Sequence, residues 1–223
     1  MPKVEIKGTI VPDDDAWVYE LFGISAVYPG AVKKAIDDAA GQDLEVEINS
    51  GGGDVFAGSE IYTALRSYTG KVTIKIVGFA GSAASVIAMA GYSEMSPTAQ
   101  LMVHNVSSSA RGDNRDMAHM SEVLENANRA IAAAYVSKSG MSEKDALDMM
   151  AHETWLTAQK AKELKLVDAV MFEDTQPVQL VAGYQTDLIP RAVIDKVKKE
   201  HAERERASAM RARFNFLKIC ERM

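Results

Sequence analysis

Cysteine and long apolar runs are scarce in this sequence. The chain of 223 residues has one cysteine, Cys220, which cannot form an internal disulfide bond, so the fold does not depend on an oxidising compartment. No stretch approaches the roughly 20 uninterrupted apolar residues of a membrane-spanning helix. The first residues, MPKVEIKG, lack the apolar centre of a signal peptide. We therefore expect a soluble, cytoplasmic protein with no membrane association.

Charge is unevenly distributed along the chain. Residues 191–223 hold 10 Lys and Arg against 5 Asp and Glu, whereas residues 1–190 hold 15 against 26. A composition of 47% apolar and 25% charged residues is that of an ordinary globular protein. The length predicts one domain, and the charge split marks a basic tail after about residue 190. The tail could bind nucleic acid or protein, or simply present solvated helix faces.

Apolar periodicity predicts an α/β fold. Strands are predicted at Val4–Ile10, Leu44–Ile48, 71–77, Glu94–Ser96, Gln100–His104 and Leu166–Val170. Helices are predicted at Ala31–Ala40, Val55–Arg66, Ala83–Ala90 and 115–137, from Ser142 through Met150, and from Thr157. Strand, loop and helix in series indicate a parallel sheet, in which two glycine-bearing loops should meet at the carboxyl edge.

The first of these loops contains Gly51, Gly52 and Gly53. Its position between a strand and a helix would expose backbone N–H groups to an anion or to a developing oxyanion. The loop lacks the lysine of a P-loop and the spacing of a dinucleotide fingerprint, so phosphate binding is not favoured. A tight turn without a ligand is the alternative interpretation.

The second loop carries two serines, Ser82 and Ser85, at the start of a helix. Serine in that position is usually a helix cap. A nucleophilic serine would need a base to accept its proton and a third group to orient that base. The four histidines are His104, His119, His152 and His201, and composition alone does not choose among them.

Four motifs, taken in order, resemble the ClpP family of serine peptidases, the proteolytic subunits of Clp protease. They are Ile48–Gly58 (INSGGGDVFAG), Gly78–Ser85 (GFAGSAAS), Leu101–Asn105 (LMVHN) and Glu153–Asp168 (ETWLTAQKAKELKLVD). The resemblance spans roughly residues 4–172, which implies a protease domain at residues 1–175 followed by a linker and basic helical tail at 176–223. It implies the ClpP/crotonase fold of repeated ββα units, here with a C-terminal charged helical tail.

The resemblance also implies a set of site residues. Ser85 would be the nucleophile, His104 the base and Glu153 the acidic third member, and the N–H groups of Gly53 and Val86 would form the oxyanion hole. The substrate would pair with an extended segment after His104. The residues expected to bind substrate are Gly52, Ser107, Ser108, Ser109, Arg111 and Gly112. Neither a metal nor another cofactor is expected.

The Glu153-Thr-Trp155 sequence, the short N-terminus and the basic tail are together similar to phage and prophage ClpP-like proteases. That similarity implies a polypeptide substrate such as a capsid or scaffold precursor, and a homo-oligomer built as a heptameric ring or double ring. The first strand begins near residue 4, which argues against an ATPase partner. The tail, from Ile189 to Met223, is then interpreted as an assembly or partner-binding helix, with no nucleic-acid partner.

Three other functions remain open at this stage. The chain could be a ClpP subunit that serves a cellular Clp ATPase. It could be a non-catalytic assembly or scaffold protein in which the serine only caps a helix. It could also be a crotonase-type acyl-CoA enzyme, which shares the fold and the oxyanion turn but does not need the serine, histidine and acid.

Overall fold

A computed structural model describes residues 1–173, 196–201 and 203–205. The chain divides into two units, Met1–Gln176 and Pro177–Met223. In the second unit, the described residues 196–201 and 203–205 are helical and exposed. The predicted boundary at residue 175, and most of the predicted basic tail, lie outside the described residues.

The first unit is built on a mostly parallel sheet. Its strands are β1 (Lys3–Ile10), β2 (Ala26–Val27), β3 (Leu44–Gly53), β4 (Val72–Gly81), β5 (Tyr92–Met95), β6 (Gln100–Val103), β7 (Thr154–Thr157) and β8 (Ala169–Val170). The order β2-β1-β3-β4-β5-β8 is parallel throughout. β6 continues beside the end of β4 and pairs antiparallel with β7. The predicted α/β class is confirmed.

Helices connect and cover these strands. They are α1 (Ala16–Leu21), α2 (Pro29–Asp38), α3 (Val55–Arg66), α4 (Ala83–Ile87), α5 (Asn114–Ser139), α6 (Glu143–Ala151) and α7 (Ala158–Glu163), with single 3₁₀ turns at Asp13–Asp15 and Ala88–Ala90. Among the described residues, no helix combines the length and the apolar character needed to cross a membrane.

The central strands carry apolar side chains, which helices and other segments of the first unit cover. In β3 and β4 the alternate residues Val46, Ile48, Ile74 and Ile76 are fully buried. Burying each of these side chains contributes about 1.5–3 kcal/mol to the driving force for folding. The alternation also fixes the register, since a slip by one residue would turn the apolar set to the opposite face.

The strands β3 and β4 both extend farther than their apolar alternation predicted, and they end together at the carboxyl edge. β3 continues through the three glycines because it remains paired with β1 on one side and with β4 on the other. A Cβ added to Gly52 would lie 2.7 Å from both the carbonyl oxygen of Gly81 and the Cβ of Ser82. The predicted meeting of the two glycine-bearing loops is therefore confirmed.

Candidate active site

Ser82 occupies the sharp turn between β4 and α4. Its backbone angles are φ 53° and ψ −127°, a left-handed conformation that costs a residue with a Cβ of order 1–3 kcal/mol. Its N–H donates to the carbonyl of Met102 on β6 at 3.0 Å. A serine on a strained turn from strand to helix is the arrangement that exposes the nucleophile in the α/β-hydrolase fold.

His104 follows β6 directly and reaches this serine. Its Nε2 lies 2.8 Å from Oγ of Ser82, a hydrogen-bond distance. The imidazole is half-buried. Of the other histidines, His119 and His201 are exposed, and His152 uses its Nδ1 for a 2.7 Å hydrogen bond to the carbonyl of Asp148. Among the described residues, His104 is therefore the histidine that lies within hydrogen-bond distance of Ser82.

Ser85 does not face His104, and this corrects the expected serine. Ser85 is fully buried one helical turn below Ser82. Its Oγ donates to the carbonyl of Ser82 at 2.6 Å and lies 2.8 Å from the hydroxyl of Tyr135. A nucleophile must reach both base and substrate, and the hydroxyl of Ser85 is enclosed by protein instead.

One sequence signal could have distinguished the two serines. The resemblance was aligned on the Ala-Ala-Ser85 sequence, because an alanine precedes the serine in the family's motif. Ser82, however, directly follows Gly81 at the end of a predicted strand, where a turn lifts the side chain toward the loops of the sheet edge. Ser85 comes three residues later, on the part of the helix that packs inward.

Glu153 lies at the same end of the paired strands as His104. In the antiparallel ladder Val103 is opposite Thr154, so His104 and Glu153 are the next residues along the two strands. Glu153 is exposed and has a positive φ of 46°. Among the described residues, its carboxylate accepts a hydrogen bond from Nε1 of Trp155 at 3.2 Å rather than from His104. The structure thus brings Glu153 to the histidine's end of the ladder but does not join the two side chains.

The oxyanion predictions have different outcomes. Gly53 lines the cleft that contains Ser82 and His104. The Val86 N–H, in contrast, donates to the carbonyl of Ser82 at 3.3 Å within α4, so the expectation for this group is not supported. The N–H that follows Ser82, the serine facing His104, is that of Ala83. Ala83 also lines the cleft and is the first residue of α4, where an N–H has no acceptor within the helix.

The cleft beside Ser82 is mixed in character. Its polar and backbone groups come from the two strand ends and the segment after β6, and its apolar wall comes from α3, α4 and α5. The lining residues are Gly53, Val55, Gly58, Ser59, Ser82, Ala83, Val86, His104, Asn105, Val106, Ser107, Ile131 and Tyr135. Such a cleft, apolar with a few convergent polar groups, is the usual form of a binding site.

The expected substrate-binding residues are only partly at this cleft. Ser107 lines it, whereas Ser108, Ser109, Arg111 and Gly112 continue the same segment as exposed residues outside the lining.

Two backbone N–H groups near the cleft are already used by the protein. The N–H of Val106 donates to Oδ1 of Asn128 at 2.7 Å, which ties the start of the segment to α5. The N–H of Gly52 donates to Oγ of Ser50 at 3.1 Å, so this expected substrate contact serves the turn itself.

Metal ligation has no candidate among the described residues. Within residues 1–173 and the described parts of the second unit, no group of three or more His, Cys, Asp or Glu residues is arranged to hold a metal ion.

Comparison with known proteins relates the chain to one family. The sequence profile of the family described as Clp protease matches residues 35–174, which is more than half of the chain. The ATP-dependent Clp protease proteolytic subunit 1 of Streptomyces avermitilis is 32% identical over 140 residues, covering 60% of this chain and 64% of the relative. The ATP-dependent Clp protease proteolytic subunit of Bacteroides fragilis is 29% identical over 136 residues, covering 60% and 66%.

A third relative, the ATP-dependent Clp protease proteolytic subunit 1 of Chlamydia abortus, is 30% identical over 138 residues, covering 59% of this chain and 71% of the relative. The chain thus spans less than two thirds of the length of the first two relatives. The profile match covers β3 to β8 and includes Ser82, His104 and Glu153. By its sequence, the chain belongs to the Clp protease family.

Proposed function

We propose that the chain is a serine endopeptidase whose nucleophile is Ser82. The observation that carries this proposal is the 2.8 Å approach of His104 Nε2 to Ser82 Oγ on a strained turn. This geometry provides a nucleophile within hydrogen-bond reach of its base. Membership of the Clp protease family supports a peptidase over a crotonase-type acyl-CoA enzyme.

In the proposed reaction, Ser82 Oγ attacks the carbonyl carbon of the scissile peptide bond while His104 Nε2 takes the hydroxyl proton. The tetrahedral intermediate collapses when His104 returns that proton to the leaving amine, and the new amino terminus departs. Water then attacks the acyl-enzyme by the same route and regenerates Ser82. His104 thus serves first as base and then as acid in each half of the cycle.

The oxyanion would be held by the N–H groups of Gly53 and Ala83. Both residues line the cleft beside Ser82, and they come from the two strand-to-helix junctions that meet there. Backbone donors at such a position are already oriented before the reaction, which is why loss of one donor commonly costs about 10²–10³ in turnover.

Glu153 is proposed as the third member of the triad. Its place next to the Val103–Thr154 pair, at the same end of the β6–β7 ladder as His104, supports this role. To orient the imidazole, the carboxylate of Glu153 would release the Trp155 indole and accept a hydrogen bond from Nδ1–H of His104. The side chain of glutamate is one methylene longer than that of aspartate and suits such a reach. A carboxylate there would stabilise the imidazolium that forms during attack.

Covalent labelling of the assembled protein tests the proposal. A fluorophosphonate probe should modify wild type, and fragmentation mass spectrometry should place the adduct on Ser82. Ser82→Ala should abolish labelling and peptide hydrolysis without loss of folding. An adduct on Ser85, or a wild type that resists the probe while a control protease is labelled, would contradict it. Normal substrate processing by Ser82→Ala would instead support a non-catalytic assembly role.

The proposed substrate is a phage capsid or scaffold precursor, and the proposed assembly is a homo-oligomeric ring. The resemblance of Glu153-Thr-Trp155 to phage-type relatives supports this finer proposal. Co-expression of a capsid precursor with wild type or Ser82→Ala, followed by mass spectrometry, should show cleavage by wild type alone. Native mass spectrometry of the same sample would count the subunits.

A second candidate is a proteolytic subunit that works with a Clp ATPase. It is favoured by the three relatives, whose names describe ATP-dependent proteases. Co-purification with a Clp ATPase and ATP-stimulated degradation of a folded substrate would support it. ATP-independent processing of a capsid precursor would support the first candidate.

A further inference from the structure

The buried hydroxyls of Ser85 and Tyr135 form a chain of hydrogen bonds that ends at the backbone carbonyl of Ser82. Ser85 is 0% exposed and Tyr135 is 2% exposed. Ser85 Oγ lies 2.6 Å from the Ser82 carbonyl oxygen and 2.8 Å from the Tyr135 hydroxyl. The reaction proposed above uses neither hydroxyl, although Ser85 is three residues from Ser82 and Tyr135 lines the same cleft.

Counting protons fixes the direction of this chain. A carbonyl oxygen only accepts, so the single proton of Ser85 must be donated to the carbonyl of Ser82. The hydrogen bond between the two hydroxyls must then use the proton of Tyr135, with Ser85 Oγ as acceptor. Burial raises the pKa of Tyr135 to about 12, although the hydrogen bond to Ser85 lowers it, so the phenol keeps its proton at neutral pH.

The peptide unit at the end of the chain contains the proposed oxyanion donor. The Ser82 carbonyl and the Ala83 N–H belong to one planar, trans peptide, so holding the carbonyl in place also aims the N–H. A hydrogen bond to the carbonyl also polarises the amide and strengthens its N–H as a donor. The same carbonyl accepts from the N–H groups of Ser85 at 2.9 Å and Val86 at 3.3 Å.

We infer that Ser85 and Tyr135 are positioning residues that hold the Ser82–Ala83 peptide in its strained orientation and thereby aim the Ala83 N–H at the oxyanion. This inference rests on the proposed function of the same site. Tyr135 provides the link to α5, so the geometry of the turn depends on the packing of a helix that is distant in sequence. A hydroxyl pair of this kind also explains how a residue with a Cβ is kept at φ 53°.

The test compares wild type with Ser85→Ala, Tyr135→Phe and the double variant, each assembled and treated with the fluorophosphonate probe. Saturation kinetics separate the maximal labelling rate from the probe's half-saturation concentration. We expect each single variant to lower the maximal rate about tenfold or more, since misorientation near the reacting atoms is costly. The half-saturation concentration should change less than about twofold, because ground-state binding is untouched.

The maximal labelling rate of the double variant should be no lower than that of the slower single variant, because both changes break the same chain of hydrogen bonds and their effects do not add. Two control variants remove similar groups far from the site. Ser93→Ala deletes a fully buried serine hydroxyl, and Tyr68→Phe deletes a hydroxyl that donates to the Gln42 carbonyl at 2.7 Å. Both controls should keep the wild-type labelling rate even if they lower the melting temperature.

The outcomes separate the inference from the proposed function. If wild type resists the probe, the proposed function fails and the inference fails with it. If wild type is labelled on Ser82 and the two single variants label at the wild-type rate, only the inference is overturned. Rate losses that follow melting temperature equally in the variants and the controls would also overturn it. Tyr135→Phe keeps the packed volume, so it decides the matter should Ser85→Ala fail to fold.

Discussion

The two strand-to-helix junctions at the carboxyl edge make the same reversal of the chain by different means. Between β3 and α3, glycines take the positive φ angles, and Asp54 caps the helix by accepting the Ala57 N–H at 2.8 Å. Between β4 and α4, Ser82 takes the positive φ, and no side chain caps the helix. The first junction is relaxed, whereas the second stores strain at the residue that faces His104.

The difference indicates that the two junctions have different structural roles. A relaxed, glycine-rich turn lets the backbone of the first junction approach the second closely, and a Cβ at Gly52 would already be too close to it. The strained turn is tolerated because its neighbours hold it from both ends, through the N–H to β6 and through the carbonyl to α4. Strain that the surroundings maintain is characteristic of functional sites.

The largest effect is expected from Gly53→Ala in the relaxed junction. A Cβ there would lie 2.1 Å from the carbonyl oxygen of Ile10, and the residue has φ 152°. Backbone cannot move aside easily, so the free energy of unfolding should fall by about 3 kcal/mol or more. Gly81→Ala is the matched change in the strained junction.

The added Cβ of Gly81→Ala first meets the ring of Phe79, at 2.5 Å, and a side chain can shift. Gly81→Ala should therefore lower the free energy of unfolding by roughly half as much as Gly53→Ala. Urea denaturation at one fixed protein concentration would measure both variants. Equal losses would show that the two junctions are equally constrained.

The next effect concerns the strain itself. Ser82→Gly should be about 1 kcal/mol more stable than Ser82→Ala, because glycine adopts φ 53° without a steric penalty and only part of that gain is offset by its greater unfolded-state entropy. Both variants should lack activity, so the comparison isolates the backbone. Their free energies of unfolding can be compared by chemical denaturation. A more stable Ser82→Ala would show that the turn is not strained.

Removal of the cap in the relaxed junction should have a similar or smaller effect. Asp54→Ala should lose about 1 kcal/mol of unfolding free energy, because the Ala57 N–H loses its acceptor. Asp54→Asn keeps an acceptor oxygen and is the matched control. Denaturation midpoints of the two variants would decide, and identical midpoints would mean that water replaces the cap at no cost.

The smallest expected effect depends on pH and concerns Glu47, which is in β3 before the junction with α3. Hydrogen bonds from Lys3 and Lys7 hold the pKa of Glu47 below its ordinary value of 4.5. Glu47 therefore stabilises the fold above that pH, and its contribution is lost as the pH falls through its folded-state pKa. Because Glu47 and its two lysine partners lie near the surface, Glu47→Gln should lower the free energy of unfolding by under about 1 kcal/mol at neutral pH and should have no effect in acid. Thermal melts from pH 3 to 7 would detect the narrowing difference, and a constant difference would contradict it.

The sequence predicted much of the fold because the apolar patterns are strong where the sheet is covered. Helix α3 has the predicted bounds, and Ser142 caps α6 as expected by accepting the Asp145 N–H. Helix α1 was missed because it is only six residues long and buries none of them, so its sequence carries no clear helical periodicity. The edge strand β7 was missed because only Leu156 among its four residues is buried.

The site was predicted unevenly for a related reason. Gly53 ends β3 and His104 follows β6, so both lie at the carboxyl edge to which the strand, loop and helix order assigns the site, and both line the cleft. The choice between Ser82 and Ser85 depends on which residue occupies the turn and which lies in the first helical turn. A shift of three residues changes neither the composition nor the helix pattern, so these signals do not decide which serine faces His104. The partner of Ser85, Tyr135, is 50 residues away in sequence, and no local pattern connects them.

The stacked rings of Phe79 and Trp155 give the site an optical reporter. Their centroids are 5.3 Å apart with planes inclined by 4°, and the same indole donates to Glu153. The chain has two tryptophans, so Trp17→Phe would leave Trp155 as the single indole. Its emission should shift when Glu153 exchanges the indole for His104. Fluorescence could then follow the assembly of the triad during inhibitor binding, in real time and without an added dye.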